Sequence, residues 1–191
     1  MLRHVLAFLA VFLLLFSPAA GAVDGVTPKQ ILIGQTITLQ DGKNDYGTAV
    51  LAGVQVYLAA ANTQGGVHGR TIVLKTLDDD NRADRAEANA RQLLIQDKAF
   101  LLFGSIEGGP STAVMKVAVE SNVPFFGPMA GSPTFRTPHQ PLVFPVRAEH
   151  KDEFRALMAH ARSLGMKRIA FLRSDSETGQ QHLANVRGLS Q

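Results

Sequence analysis

The chain has 191 residues, enough for one domain and part of a second. Its composition, 46% hydrophobic and 18% charged, excludes a disordered chain and a multi-span membrane protein. Cysteine is absent, which excludes disulfides, thiolate metal sites, a cysteine nucleophile and a lipid on an N-terminal cysteine, and the net charge of +3 comes without a Lys/Arg block, which argues against nucleic-acid binding.

Residues 1–22 read as a secretory signal peptide. Arg3 and His4 form a basic start, Val5 to Phe16 is an apolar run, Ser17-Pro18 breaks it, and Ala20-Gly21-Ala22 has the small-x-small cleavage pattern. The run is shorter than the ~20 residues a membrane span needs. Cleavage after Ala22 is therefore expected, with no stable membrane insertion afterwards. Without a lipid anchor, the periplasm is the compartment that would retain the product.

The mature chain alternates short β-rich runs with helical periods. Gln30–Ile37 predicts a strand, and Gly47–Asn62 a helix with Val50, Val54, Tyr57, Leu58 and Ala61 on its inner face. Gly65–Arg70 is a turn, Thr71–Leu77 a strand, and Arg82–Gln96 a helix after the polar loop Asp78–Asn81. Ala99–Phe103 and Val123–Gly127 are apolar enough for strands covered on both faces, with the helix Ser111–Ser121 between them. Gly131–Gln140 is a loop and Leu142–Arg147 is extended. Glu149–Leu164 predicts a helix, Arg168–Arg173 a strand, and a last helix starts near Thr178. This order defines an α/β fold, a doubly wound, mostly parallel sheet with helices on both faces. In such sheets ligands sit beyond the C-terminal strand ends, which singles out the loops Leu39–Tyr46, Asp78–Asn81, Gly104–Gly109 and Pro128–Pro133.

Gly104–Thr112 follows a buried strand and opens a helix. It is either a cradle of backbone N–H groups for an anion or polar group, or a tight strand-to-helix turn capped by Ser111 or Thr112. No Gly-Lys-Ser/Thr, dinucleotide fingerprint or nucleophile elbow is present. Asp78–Asp80 lacks the glycine and distal glutamate of a calcium loop and reads as a solvated helix start. The six histidines show no metal-ligand spacing, with His68 in a turn and His150 and His160 on a solvated helix. No enzyme, metal or cofactor signature emerges.

Several segments then appear in a telling order: Ile31–Gln35, Asp45-Tyr46-Gly47, Asn62 to Arg70 with its Gly-Gly-Val-His-Gly-Arg turn, Leu77-Asp78-Asp79, Leu102-Phe103-Gly104, Val123–Pro128 and Val143–Arg147. Together they resemble the periplasmic substrate-binding proteins of Leu/Ile/Val (branched-chain amino acid) ABC importers, a type I periplasmic-binding-protein-like fold. The resemblance implies two lobes that close on a ligand. It divides the chain into the signal peptide 1–22, lobe one at 23–142, an inter-lobe crossing at 143–148 and a partial lobe two at 149–191. It implies a small-molecule solute and an ABC importer permease as partners, with no nucleic acid and no cofactor.

The ligand-binding residues it implies are Tyr46, Ile106, Gly108, Gly109, Ser111, Ala130, Gly131 and Ser132. Tyr46 would cover the solute's apolar part, and the N–H groups near Gly108 and Gly109 would take its polar end. The family's carboxylate-binding serine falls at Gly108, its threonine at Gly131, and its lobe-two aromatic at Thr178. A disulfide of some members would join Asn81 and Glu107. An amide or organic acid thus becomes as plausible a solute as an amino acid. Alternative expectations are a ligand sensor of the same fold that regulates a partner, and a non-functional truncated remnant. Because lobe two is only begun, Ile169, Phe171, Met158 and Leu164 are expected to be partly exposed.

Overall fold

The computed structural model describes residues 23–173, 175 and 177–190. The expected signal peptide and its cleavage site at Ala22 lie outside the described residues. Five parallel strands form one sheet in the order β2-β1-β3-β4-β5: β1 (Gln30–Ile37), β2 (Thr71–Asp78), β3 (Leu101–Phe103), β4 (Phe125–Phe126) and β5 (Val143–Phe144). The helices are α1 (Asp45–Thr63), α2 (Ala83–Arg91), α3 (Gly108–Glu120), α4 (His150–Ser163) and α5 (Glu177–Ser190). The expected α/β fold with a parallel sheet is what forms.

Local chemistry sets the helix starts. Asn44 caps α1 by accepting from the Gly47 N–H at 2.8 Å, so the helix begins at Asp45, two residues before the expected start at Gly47. Gly47 is obligatory here, since a Cβ would lie 1.9 Å from the Thr38 carbonyl oxygen. After α2 the chain widens into a π-helical turn over Gln92–Gln96, where the sequence pattern predicts one continuous helix.

The core lies on the sheet face covered by α2 and α3. Leu93, Leu94, Leu102, Val114, Val117, Phe125 and Phe135 are buried together there. The opposite face is only partly covered. Asn62 ties α1 to β2, donating to the Ile72 carbonyl at 2.9 Å and accepting from its N–H at 2.7 Å. Over β3 to β5 this face carries a ladder of Phe103, Phe126 and Phe144, with centroid separations of 6.4 and 6.3 Å. Phe126 and Phe144 are each about half exposed. The face of α1 expected to be internal is half-buried at Val50, Val54, Leu58 and Ala61, while Tyr57 is 73% exposed.

Beyond β5, α4 and α5 pack on each other, joined by the edge-to-face rings of Phe154 and His182. The expected strand Arg168–Arg173 does not form. A strand is defined by its partner, and the sheet ends at β5, so the segment finds no ladder. Leu172 accordingly is 98% exposed, and Ile169 and Leu164 are exposed with it. Met158 departs from the expectation and is buried, on the one helix of the pair that also carries Phe154.

Candidate functional site

All five strands point their C-terminal ends the same way, so their following loops share one rim. Two acids fix the part of that rim nearest β1 and β2. Asp78 accepts from the backbone N–H groups of Leu39, Asp41 and Asp80 at 2.9–3.0 Å. Burial works against its charge, but those N–H groups outweigh it and hold the carboxyl below its ordinary value. Asp79 is completely buried and accepts from Thr38 Oγ1 at 2.6 Å, the Asn81 N–H at 3.0 Å and Thr36 Oγ1 at 3.3 Å. There burial dominates and pushes the carboxyl up. The acidic cluster thus ties the loops after β1 and β2 together.

The glycine-rich loop after β3 is shorter than the sequence pattern predicts, because α3 starts at Gly108 rather than Ser111. The first bond of α3 runs from the Ser111 N–H to the Glu107 carbonyl at 2.9 Å. Pro110 has no N–H, and the N–H groups of Gly108 and Gly109 precede the first intrahelical bond. They are the orphan donors of a helix start, at its positive end.

A cavity of about 330 Å³ opens directly over them. One wall is Gly108, Gly109 and Thr112 of α3, with Ser132, Pro133 and Thr134 after β4. Its other wall is Glu149, His150 and Lys151 at the start of α4, with Gln181, His182 and Asn185 of α5. This is the size range of small-solute sites, with polar groups converging from two sides.

Of the residues expected at the site, Gly108, Gly109 and Ser132 line this cavity. Ile106, Ala130 and Gly131 are buried behind its wall. Ser111 turns away from it: the side chain is fully buried and its hydroxyl donates to Ser105 Oγ at 2.8 Å, tying α3 to the loop before it. The earlier helix start is the reason, since it places Ser111 on the inward face of the first turn. Tyr46, the second residue of α1, is about half exposed and stands outside the cavity lining. Thr178 lies in the first turn of α5.

Sequence reasoning missed the second wall. His150 is not on a solvated face. Its N–H donates to the Gly131 carbonyl at 2.9 Å, and its Nδ1 lies 3.2 Å from Glu153. Glu153 accepts two bonds from Arg147, at 2.7 and 3.0 Å. Arg147, and less strongly His150, outweigh burial and hold the Glu153 carboxyl below its ordinary value. The rings of His150 and His182 meet edge to face at 4.5 Å. His182 Nε2 is buried without a partner among the described residues, and burial, with His150 nearby, pushes this imidazole down. The available signal was positional: His150 is the first residue of the helix that follows the crossing.

A parallel α/β sheet layer and a cleft that it shares with the two helices after β5 define a two-walled ligand-binding architecture. The chain belongs to the periplasmic binding protein family, whose model matches residues 30–189. This is a family of binding rather than catalytic proteins. The chain is 25% identical over 114 residues to the Leu/Ile/Val-binding protein homolog 2 of Brucella abortus (strain 2308), a match covering 60% of this chain and 30% of that one. Among solved structures, it is similar to an extracellular ligand-binding receptor from Verminephrobacter eiseniae, with 27% identity and a TM-score of 0.71, over 84% of this chain and 45% of that one. A substrate-binding periplasmic protein from Ralstonia solanacearum aligns with 26% identity and a TM-score of 0.75, over 83% and 45%. The chain therefore spans less than half the length of these relatives. Among the described residues no helix is long and apolar enough to cross a membrane.

Proposed function

We propose that the protein is an exported solute-binding protein that takes a small polar solute (an amino acid, amide or organic acid) into the cleft between α3 and the α4–α5 pair. In this reading it presents the solute to the permease of an ABC importer. Residues 1–22 act as the signal peptide, 23–142 as lobe one, 143–148 as the crossing and 149–191 as the part of lobe two present here. The observation that carries the reading is the cleft, where the free N–H groups of Gly108 and Gly109 face polar side chains from beyond the crossing. The family and the Leu/Ile/Val-binding homologue support it.

Titration of the purified chain with L-leucine, followed by backbone amide NMR, tests the site. The Gly108, Gly109 and Ser132 amides are expected to shift first, while Thr71 at the far end of β2 stays still. Shifts confined to other regions would remove the cleft from the reading.

A further inference from the structure

Gly131 and His150 form a matched pair. A Cβ on residue 131 would lie 2.7 Å from His150 Nδ1 and 2.8 Å from the Ala148 carbonyl oxygen. Only glycine lets the start of α4 close onto the loop after β4. The backbone is then locked there by the His150 N–H on the Gly131 carbonyl, at 2.9 Å. The ring is locked in turn. Nδ1 faces Glu153 at 3.2 Å, Arg147 holds Glu153 through two bonds, and the imidazole meets the His182 ring edge to face at 4.5 Å with the tilted Phe154 ring at 6.4 Å.

This arrangement leaves one polar atom of the ring uncommitted. Glu153 is a carboxylate and only accepts, so Nδ1 carries the ring proton. In the neutral imidazole Nε2 then presents a lone pair. No group among the described residues takes Nε2, and His150 lines the cleft. His150 is held on that wall by Glu153 and the neighbouring rings, and a fixed side chain discriminates where a mobile one adapts.

We propose that His150 is a specificity-determining residue of the cleft. While the Gly108 and Gly109 N–H groups take a carboxylate, His150 Nε2 accepts a hydrogen bond from a donor on the same solute. The cleft thereby selects small acids that also carry a hydroxyl, amide or ammonium group over plain acids. This rests on the cleft being the solute site.

The test uses three acids with one carbon skeleton: isocaproate, its α-hydroxy derivative, and its α-amino derivative L-leucine. Each is titrated into the full chain, with the backbone amides and the imidazole nitrogens followed by NMR. All three are expected to shift the Gly108 and Gly109 amides. Only the hydroxy and amino acids should shift the His150 ring nitrogens, and they should bind about tenfold more tightly, the worth of one good hydrogen bond. His150→Phe should bring them to the affinity of isocaproate. If no acid moves Gly108 and Gly109, the cleft reading itself falls. If those amides move but the three acids bind alike, or His150→Phe keeps the preference, the role of His150 is refuted and the cleft reading stands. Should His150→Phe fail to fold, the ring resonances of the unsubstituted protein decide between the same outcomes.

Discussion

Replacing Asp79 tests whether the rim of the sheet beside β1 and β2 is held by a buried carboxylate. In Asp79→Ala, the Thr38 and Thr36 hydroxyls lose their acceptor inside a site with almost no solvent exposure, and the N–H of the exposed Asn81 loses its acceptor at the edge of that site. Each orphaned buried group costs about 1 kcal/mol or more. Removing the buried charge recovers part of that, so the net loss is set at about 2 kcal/mol. Asp79→Asn keeps one oxygen for Thr38 and Asn81 and discards the charge, and should cost under about 1 kcal/mol.

The pH dependence has a definite sign. Burial raises the folded carboxyl above its unfolded value, so ionising Asp79 costs stability. That cost is absent below the unfolded pKa, grows as pH rises, and is complete above the folded pKa. Asp79→Asn should therefore gain on the parent as pH rises through that window. Urea unfolding followed by far-UV circular dichroism, at neutral and mildly acidic pH, measures both differences. Equal losses for the alanine and asparagine variants, or an alanine loss below about 0.5 kcal/mol, would refute the reasoning.

Two further outcomes follow from individual positions. Gly47→Ala places a methyl 1.9 Å from the Thr38 carbonyl oxygen, a backbone atom that cannot swing aside. A loss of about 1–3 kcal/mol is expected, and an unchanged thermal midpoint would contradict it. Export should leave Val23 as the first residue, read by intact-mass spectrometry of the periplasmic fraction. Material retaining Arg3 would show that the signal is not removed.

The two long strands were legible because their runs of Ile, Leu, Val and Thr are bounded by turn residues, and β1 and β2 form close to where the pattern puts them, β1 buried toward its C-terminal end and the edge strand β2 half-buried. The shorter strands were less so. Val123–Gly127 and Leu142–Arg147 shrink to Phe125–Phe126 and Val143–Phe144, because only the neighbour decides which residues of an apolar run are paired. Arg168–Arg173 has strand composition but no partner, and composition cannot supply one. At the site, the fold class alone pointed to the loops after β3 and β4. A three-residue shift in the start of α3 was enough to turn Ser111 from the cleft into the interior. His150 and His182 were invisible for a related reason: they meet at 4.5 Å across two helices 32 positions apart, and no periodicity reports a contact of that separation.

The two walls of the cleft differ in kind, and this bears on how its selectivity is built. The wall from α3 offers mainly backbone: in the proposed reading the N–H groups of Gly108 and Gly109 take negative charge without regard to the rest of the solute, and no side chain at these two positions can refine that. Side-chain chemistry enters mostly from the far wall, through Glu149, His150, Lys151, Gln181, His182 and Asn185. Five of the six are held by helices that the core of lobe one does not use, so they can change without disturbing Leu102, Val117 or Phe125. Gly131 is the exception. It sits in the loop after β4, yet its lack of a side chain is required by His150 at the start of α4. The solute preference proposed for His150 would therefore be written in both walls at once, and altering it cleanly would require changing positions 131 and 150 together.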